Sequence, residues 1–121
     1  MSSIRERVGG DLRRVSARVW VDALRAGDAY AKRLHEEWLD RLAQALAIVV
    51  IGLDVDRVAL GTIVAHNPEL FLEPLRARVA ARVWPHLRDT EIVAGELGDR
   101  LPAYAGLCTA LLEPLAPVSA K

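Results

Sequence analysis

Apolar residues recur at helical spacing through most of the chain, and the stretch from Asp28 to Gly52 is the longest such pattern. Apolar side chains fall there at every third or fourth position, which predicts a helix over 29–52 with Asp28 as its N-cap. No charged residue occurs between Ala45 and Ile51. We therefore expect this end of the helix to be covered on all sides. Gly52 and the Asp54-Val-Asp56 turn should end it.

Two short apolar runs interrupt the helical pattern and predict strands at 57–61 and 90–94, the first of them buried. The stretch between them, 68–84, has helical spacing, starts at Asn67-Pro68 and contains Pro74, which should kink it. A strand, a helix and a second strand in this order predict a parallel pair with a right-handed crossover. Shorter helices are predicted over 17–26 and 101–113.

The predicted elements fit one domain in a chain of 121 residues. Residues 1–15, with Gly9-Gly10 and an excess of arginine, predict an irregular or frayed segment. Residues 16–113 hold all the predicted helices and strands, and 114–121 form an expected loose tail. The predicted fold class is therefore α/β, helix-rich with a short parallel sheet.

The charge balance, the cysteine content and the length of the apolar runs limit which partners and which compartment are expected. Lysine plus arginine and aspartate plus glutamate number 16 each, so net charge gives no reason to expect a nucleic-acid or membrane partner. The single cysteine excludes an internal disulfide and fits a reducing compartment. The first residues lack the apolar core of a signal peptide, and the longest apolar run is too short for a bilayer. We therefore expect a cytoplasmic protein with no nucleic-acid or membrane partner.

Candidate catalytic and metal-binding residues are sparse. His35, His66 and His86 have no metal-ligand spacing, so no metal is predicted, and His35 is interpreted as a helix-surface residue. Cys108 lies among small residues and is interpreted as a small buried thiol rather than a nucleophile. The Asp54-Val-Asp56 turn offers paired carboxylates, but such a turn is more often solvated. No catalytic residue is predicted.

Two loops remain as a candidate site. Gly61-Thr62 ends the first predicted strand, and Leu97-Gly98-Asp99 follows the second. Because the carboxyl ends of neighbouring parallel strands meet at one edge, both loops should face the same crevice, as in nucleotide sites. Glycines are equally needed at such places simply to turn the chain. By spacing alone, both interpretations stay open.

Several runs of the sequence resemble one known family. They cover 41–47, 53–61, 72–76 and 91–99, and Ala26-Gly27-Asp28 precedes them. These runs are similar to the C-terminal third of the ROK family (repressors, open reading frames and sugar kinases), which includes bacterial glucokinases. The resemblance implies a partial actin-like (ribonuclease H-like) ATPase lobe. It also implies ATP or ADP as cofactor and a parent reaction that phosphorylates a hexose, with glucose expected.

The family resemblance also implies which residues contact the nucleotide. The family turn after this strand is usually Leu-Gly-Gly-Gly and lines the adenosine side of the ATP site, whereas here it reads Leu60-Gly61-Thr62-Ile63. A second contact region corresponds to Leu97-Gly98-Asp99. The implied cofactor-binding residues are Gly61, Thr62, Ile63, Leu97, Gly98 and Asp99. Gly61→Val is expected to impair nucleotide binding and stability, and Thr62→Gly to lower stability slightly.

Other family motifs are missing from this sequence. It has no Asp-x-Gly-x-Thr phosphate loop, no Asn-Asp pair with the catalytic base, no Glu-x-Gly-His sugar motif and no cysteine-rich zinc motif. Phosphoryl transfer depends on positioned phosphates and an activated hydroxyl, so the chain alone is not expected to be a kinase. The preferred hypothesis is the nucleoside-side part of a sugar kinase, partnered by a missing N-terminal lobe or a second copy. The alternative is a non-enzymatic, helix-rich dimerisation module derived from the same fold.

Overall fold

The computed structural model describes residues 3–112, which form six α-helices and two β-strands. The elements are α1 (Ser3–Arg7), α2 (Ala17–Arg25), α3 (Ala29–Leu53), β1 (Arg57–Leu60), α4 (Thr62–His66), α5 (Pro68–Ala80), β2 (Glu91–Ala94) and α6 (Leu101–Leu112). Single 3-10 turns lie at Leu12–Arg14, Pro85–Leu87 and Gly98–Arg100. The predicted tail, 114–121, and the last predicted helical residue, 113, lie outside the described residues.

The two strands form a parallel pair, as the sequence predicts. Arg57 is opposite Glu91 and Leu60 is opposite Ala94, and α5 lies between the strands in the chain. The helix-rich α/β class is therefore confirmed. The prediction of a buried first strand is wrong, because Arg57 and Ala59 are exposed while Val58 and Leu60 are half-buried. The face of β1 that carries Arg57 and Ala59 is not packed against any other element within residues 3–112.

Helix α3 is the longest element and carries much of the core. Its N-cap Asp28 accepts a 2.7 Å hydrogen bond from the Ala31 N–H, and Asp54 ends it in the left-handed conformation. The buried positions of the helix are Ala31, Leu39, Ala43, Leu46, Ala47 and Val50. The expectation that its uncharged end is covered all round is wrong, since Ile48 is 66% exposed. Helices α2 and α5 make the main contacts of α3, which leaves the opposite side open in the part of the chain described.

An aromatic cluster joins α2, α3 and α5. The Phe71 ring lies 5.0 Å from Trp38, 6.0 Å from Trp20 and 5.1 Å from His35, in each case edge to face. Tilted pairs of this kind suit the ring quadrupoles and add to the burial of apolar surface. The Trp20 indole N–H donates to the Ala31 carbonyl at 3.2 Å, so its polar atom is satisfied. This cluster fixes α2 on α3 and α5.

Several predicted ends are displaced by one residue, and the structure differs more from the prediction at three places. Residues 1–15 include α1, because Ile4 and Val8 are buried and the first of them joins the core. Helix α4 was not expected, since five residues are too few for a periodic pattern. Helix α5 ends at Ala80 rather than at 84, and a turn leads from it to Pro85. Pro74 stays inside α5.

Candidate functional site

The segments that follow β1 and β2 lie side by side. Gly61 starts α4 directly after β1, and the 3-10 turn Gly98–Arg100 comes shortly after β2 and contacts α4. Each segment passes through one residue in the left-handed conformation, Thr62 with φ 49° and Gly98 with φ 50°. The parallel pairing brings the two predicted loops together at one edge of the sheet.

A cavity of about 890 Å³ opens between these loops and α2. Of the six residues that the sequence singles out, the lining contains Thr62, Ile63, Gly98 and Asp99. Gly61 and Leu97 are not among the lining residues. A Cβ built at Gly61 would lie 3.8 Å from Cδ2 of Leu101, which does line the cavity, so Gly61 lies close behind the wall.

Helix α2 supplies the opposite wall, which the sequence did not point to. Trp20 and Val21 present apolar surface to the cavity, and Arg18, Asp22 and Arg25 add charge. These residues share the cavity because α2 is strongly amphipathic and Ser16 caps its first turn through the Val19 N–H. Their spacing identifies only a short amphipathic helix, so it does not indicate that the charged residues of α2 reach the loop after β1.

Arg25 ties α2 to the start of α5 at one end of the cavity. Its guanidinium donates to the Asn67 side-chain oxygen at 2.8 Å and to the Glu69 carboxylate at 2.7 Å. The hydrogen bond from Arg25 lowers the pKa of Glu69. The Asn67 side-chain amide in turn donates to the Ile63 carbonyl at 2.9 Å. This chain of contacts holds Ile63, a lining residue, against α2.

His66 connects the two loops directly. Its Nδ1 lies 2.6 Å from the Thr62 carbonyl oxygen, and its Nε2 lies 2.7 Å from Asp99 Oδ1. The hydrogen bond to the Thr62 carbonyl, followed by the hydrogen bond and charge of Asp99, raises the pKa of His66 above the usual value. His66 was not predicted to belong to the site. The only available sign was its position four residues after Thr62, which places both on one face of a helical turn.

The roles expected for Gly61 and Thr62 are reversed in the structure. Gly61 has φ −91° and ψ −164°, a conformation that any residue adopts, so Gly61→Val should not strain the backbone. Thr62 instead has the left-handed φ of 49°. A β-branched residue is strained there, because its Cβ crowds the neighbouring backbone. The expectation that Thr62→Gly lowers stability therefore has the wrong sign.

We expect Thr62→Gly to stabilise the fold by about 1 kcal/mol. Relief of left-handed strain, worth about 1–3 kcal/mol, exceeds the roughly 0.4–1 kcal/mol that glycine loses through the greater freedom of the unfolded chain. Urea denaturation followed by circular dichroism measures the change. Thr62→Ala is the matched control, and it should gain less because it keeps a Cβ. A fall in stability for the glycine variant would show that Thr62 is not strained.

Two other candidate residues differ from their sequence interpretation. His35 is not a surface residue, because its ring packs against Trp20 and Phe71 with its side chain 12% exposed. Burial lowers the pKa of His35, and its Nε2 is bonded to the Leu70 carbonyl at 3.1 Å. Cys108 is not a buried thiol, since α6 is exposed along its whole length. Within residues 3–112, no three histidine, cysteine or acidic side chains are grouped to hold a metal.

The parallel strand pair, its crossover helix and the cavity beyond its carboxyl ends fit part of an α/β lobe of the actin-like fold. The ROK family model matches residues 2–109. The chain belongs to the ROK family. No curated protein matches the sequence. No helix among the described residues has the length and apolar character to cross a membrane.

A solved structure supports the fold. The chain is similar to the crystal structure of a protein from Cytophaga hutchinsonii ATCC 33406 assigned as a sugar kinase, with a TM-score of 0.65 and 19% sequence identity. The match covers 88% of this chain and 40% of that chain. The chain therefore spans less than half the length of the structure that it matches. At this identity the likeness concerns the fold.

Proposed function

We propose that this chain is the nucleoside-side part of a ROK-type sugar kinase. The whole reaction would transfer the γ-phosphoryl group of ATP to a hexose, with glucose as the first candidate. The observation that carries the proposal is the cavity between the loops after β1 and β2, in a chain of the ROK family. A cytoplasmic location fits both the use of ATP and the single cysteine.

The lining of the cavity suits a nucleotide. Ile63 and Leu101 offer apolar surface for a purine, with the edge of the buried Trp20 behind them, and the exposed Thr62 offers a hydroxyl for a ribose or phosphate. Arg18 lies on the cavity wall and makes no hydrogen bond or ion pair within the described part of the chain, so it is free to meet a phosphate. The proposed cofactor-binding residues remain Gly61, Thr62, Ile63, Leu97, Gly98 and Asp99. Gly61 and Leu97 act by shaping the backbone behind the lining.

In this proposal the chain binds the nucleotide but does not itself catalyse phosphoryl transfer. The sequence lacks the family motifs for the phosphate loop, the catalytic base and the sugar. Those groups would come from the rest of a sugar-kinase fold, supplied as an N-terminal lobe. A coupled assay of ADP release with glucose is expected to show no turnover by the isolated chain. Turnover that copurifies with the chain and disappears with a cavity variant would contradict this division of roles.

Nucleotide binding is tested by calorimetric titration of ADP into the parent and two charge-reversal variants. We expect Arg18→Glu to weaken ADP binding about tenfold, because it replaces a charge-assisted contact by a repulsion. Arg41→Glu is the matched control, since Arg41 is an exposed arginine of α3 outside the cavity, and its affinity should equal that of the parent. Equal losses in both variants would indicate non-specific attraction. No binding by the parent would refute the proposed nucleotide site.

A second candidate function is favoured by α6. This helix has no charged residue and is exposed throughout, with Leu107 61% and Leu111 71% exposed. Exposed apolar surface of this extent is typical of an interaction site. If ADP does not bind, the better hypothesis is that the chain is a dimerisation module in which a second copy covers α6. Light scattering would then show a dimer for the parent and a monomer for the double variant Leu107→Lys, Leu111→Lys. A compact parent monomer would exclude this module.

A further inference from the structure

Two oxygen acceptors face the two ring nitrogens of His66, and the number of hydrogen bonds that the ring can donate to them depends on its protonation. Nδ1 faces the Thr62 carbonyl at 2.6 Å, and Nε2 faces Asp99 Oδ1 at 2.7 Å. A neutral imidazole has one N–H and can donate to only one of these oxygens. The imidazolium has two and can donate to both. The geometry therefore selects the protonated ring.

The two hydrogen bonds of His66 lie at the wall of the proposed nucleotide cavity, and the one to the Thr62 carbonyl stays within α4. Thr62, His66, Gly98 and Asp99 all line this cavity, and the contact with Asp99 joins α4 to the 3-10 turn Gly98–Arg100. The Asp99 side chain is 91% exposed, and within residues 3–112 its hydrogen bond to α4 is the one to His66. Gly98 is left-handed and a Cβ there would meet nothing within 4 Å, so no neighbouring atom packs against the turn at this position.

We propose that His66 is a proton-operated clasp that positions the two nucleotide-binding loops, and that proton loss opens the cavity by releasing Asp99. The proposal builds on the nucleotide site proposed above. When the ring is neutral, one nitrogen lone pair faces an oxygen acceptor and that contact becomes repulsive. The Thr62 carbonyl is fixed within α4, whereas Asp99 is on an exposed turn, so the turn is the part that moves away.

The other charged residues at the cavity do not make the contact that His66 makes between α4 and the turn Gly98–Arg100. Arg18, Asp22 and Arg25 share the cavity from α2, and Asp99 faces it from the turn. Arg25 is held by Asn67 and Glu69 at the start of α5. The raised pKa of His66 determines how the clasp depends on pH. Both hydrogen bonds form below the ordinary histidine pKa, and one is lost as the pH rises through the pKa of His66 in the folded chain. Ligand affinity should therefore fall as pH rises.

The clasp is tested first without any ligand. In a pH titration of the ¹⁵N-labelled full chain, we expect the Gly98 and Asp99 amides to shift with the same midpoint as the His66 ring. In Asp99→Asn the ring should titrate lower and those amides should no longer follow it. His66→Gln, which cannot gain a proton, should leave the two amides insensitive to pH in this range. Amides that ignore the His66 titration in the parent would overturn the clasp.

The second arm measures ADP affinity at pH values below and above the measured His66 pKa. An exposed charged pair of this kind should make binding about two- to five-fold tighter in the protonated form. The terminal phosphate of ADP also titrates in this pH range, so His66→Gln measures the pH dependence that ADP itself contributes. The affinity of the parent relative to His66→Gln should be higher at the lower pH. The same ratio at both pH values would refute the control of the cavity by His66. If ADP binds at neither pH, the nucleotide proposal fails, while the ligand-free titration still decides whether the clasp exists.

Discussion

Phe71→Ala is expected to destabilise the chain by about 3–5 kcal/mol, a large part of the 5–15 kcal/mol that holds a typical domain together. Phe71 is fully buried and meets Trp20, Trp38 and His35 edge to face, so truncation removes contacts to α2 and α3 at once. The resulting void cannot be filled without moving one of those helices. Urea denaturation followed by circular dichroism measures the loss.

Two controls separate the cluster from a general effect of losing an aromatic ring. Tyr104→Ala removes a half-exposed ring from α6 and should change stability by less than about 0.5 kcal/mol. Phe71→Leu keeps most of the apolar volume and should lose clearly less than Phe71→Ala. A loss below about 1 kcal/mol for Phe71→Ala would show that the three helices are not held together through this ring.

Leu46→Ala is expected to cost about 2–5 kcal/mol, because Leu46 is 6% exposed on the core side of α3. Ile48→Ala is the matched control on the same helix. Ile48 is 66% exposed, so its truncation should be nearly neutral in the isolated chain. Thermal and urea denaturation of both variants compare the two sides of α3. Similar losses for both would show that the open side of the helix is covered in solution.

Much of the fold is predictable from local patterns. Asp28 and Ser16 cap helices as expected, and the β-branched residues around Ile92 form the second strand. Strand, helix and strand in sequence then require a parallel pair. The burial of individual side chains is predicted less well. Ile48 is apolar yet 66% exposed, because α2 and α5, the main contacts of α3, pack on the other side of that helix. An apolar run in the sequence indicates a surface that favours burial, but it does not show whether another element packs against that surface.

The candidate site is only partly predictable. The two loops can be paired because parallel strands share an edge, and this reasoning brings Thr62 and Asp99 to one cavity. His66 and Arg18 could not be found in that way, since they reach the cavity from a five-residue helix and from α2, which is distant in sequence. The strain at Thr62 is also invisible in the sequence. Only the backbone angle shows that threonine replaces glycine where glycine fits better.

The cavity between the loops after β1 and β2 is proposed to bind a nucleotide. Addition of ADP to the ¹⁵N-labelled chain tests it most directly, with amide and tryptophan indole signals followed by NMR. We expect shifts at Thr62, Ile63, Gly98 and Asp99 and at the Trp20 indole, which all belong to the cavity lining. An unchanged spectrum at millimolar ADP, or shifts confined to α6, would contradict the claim.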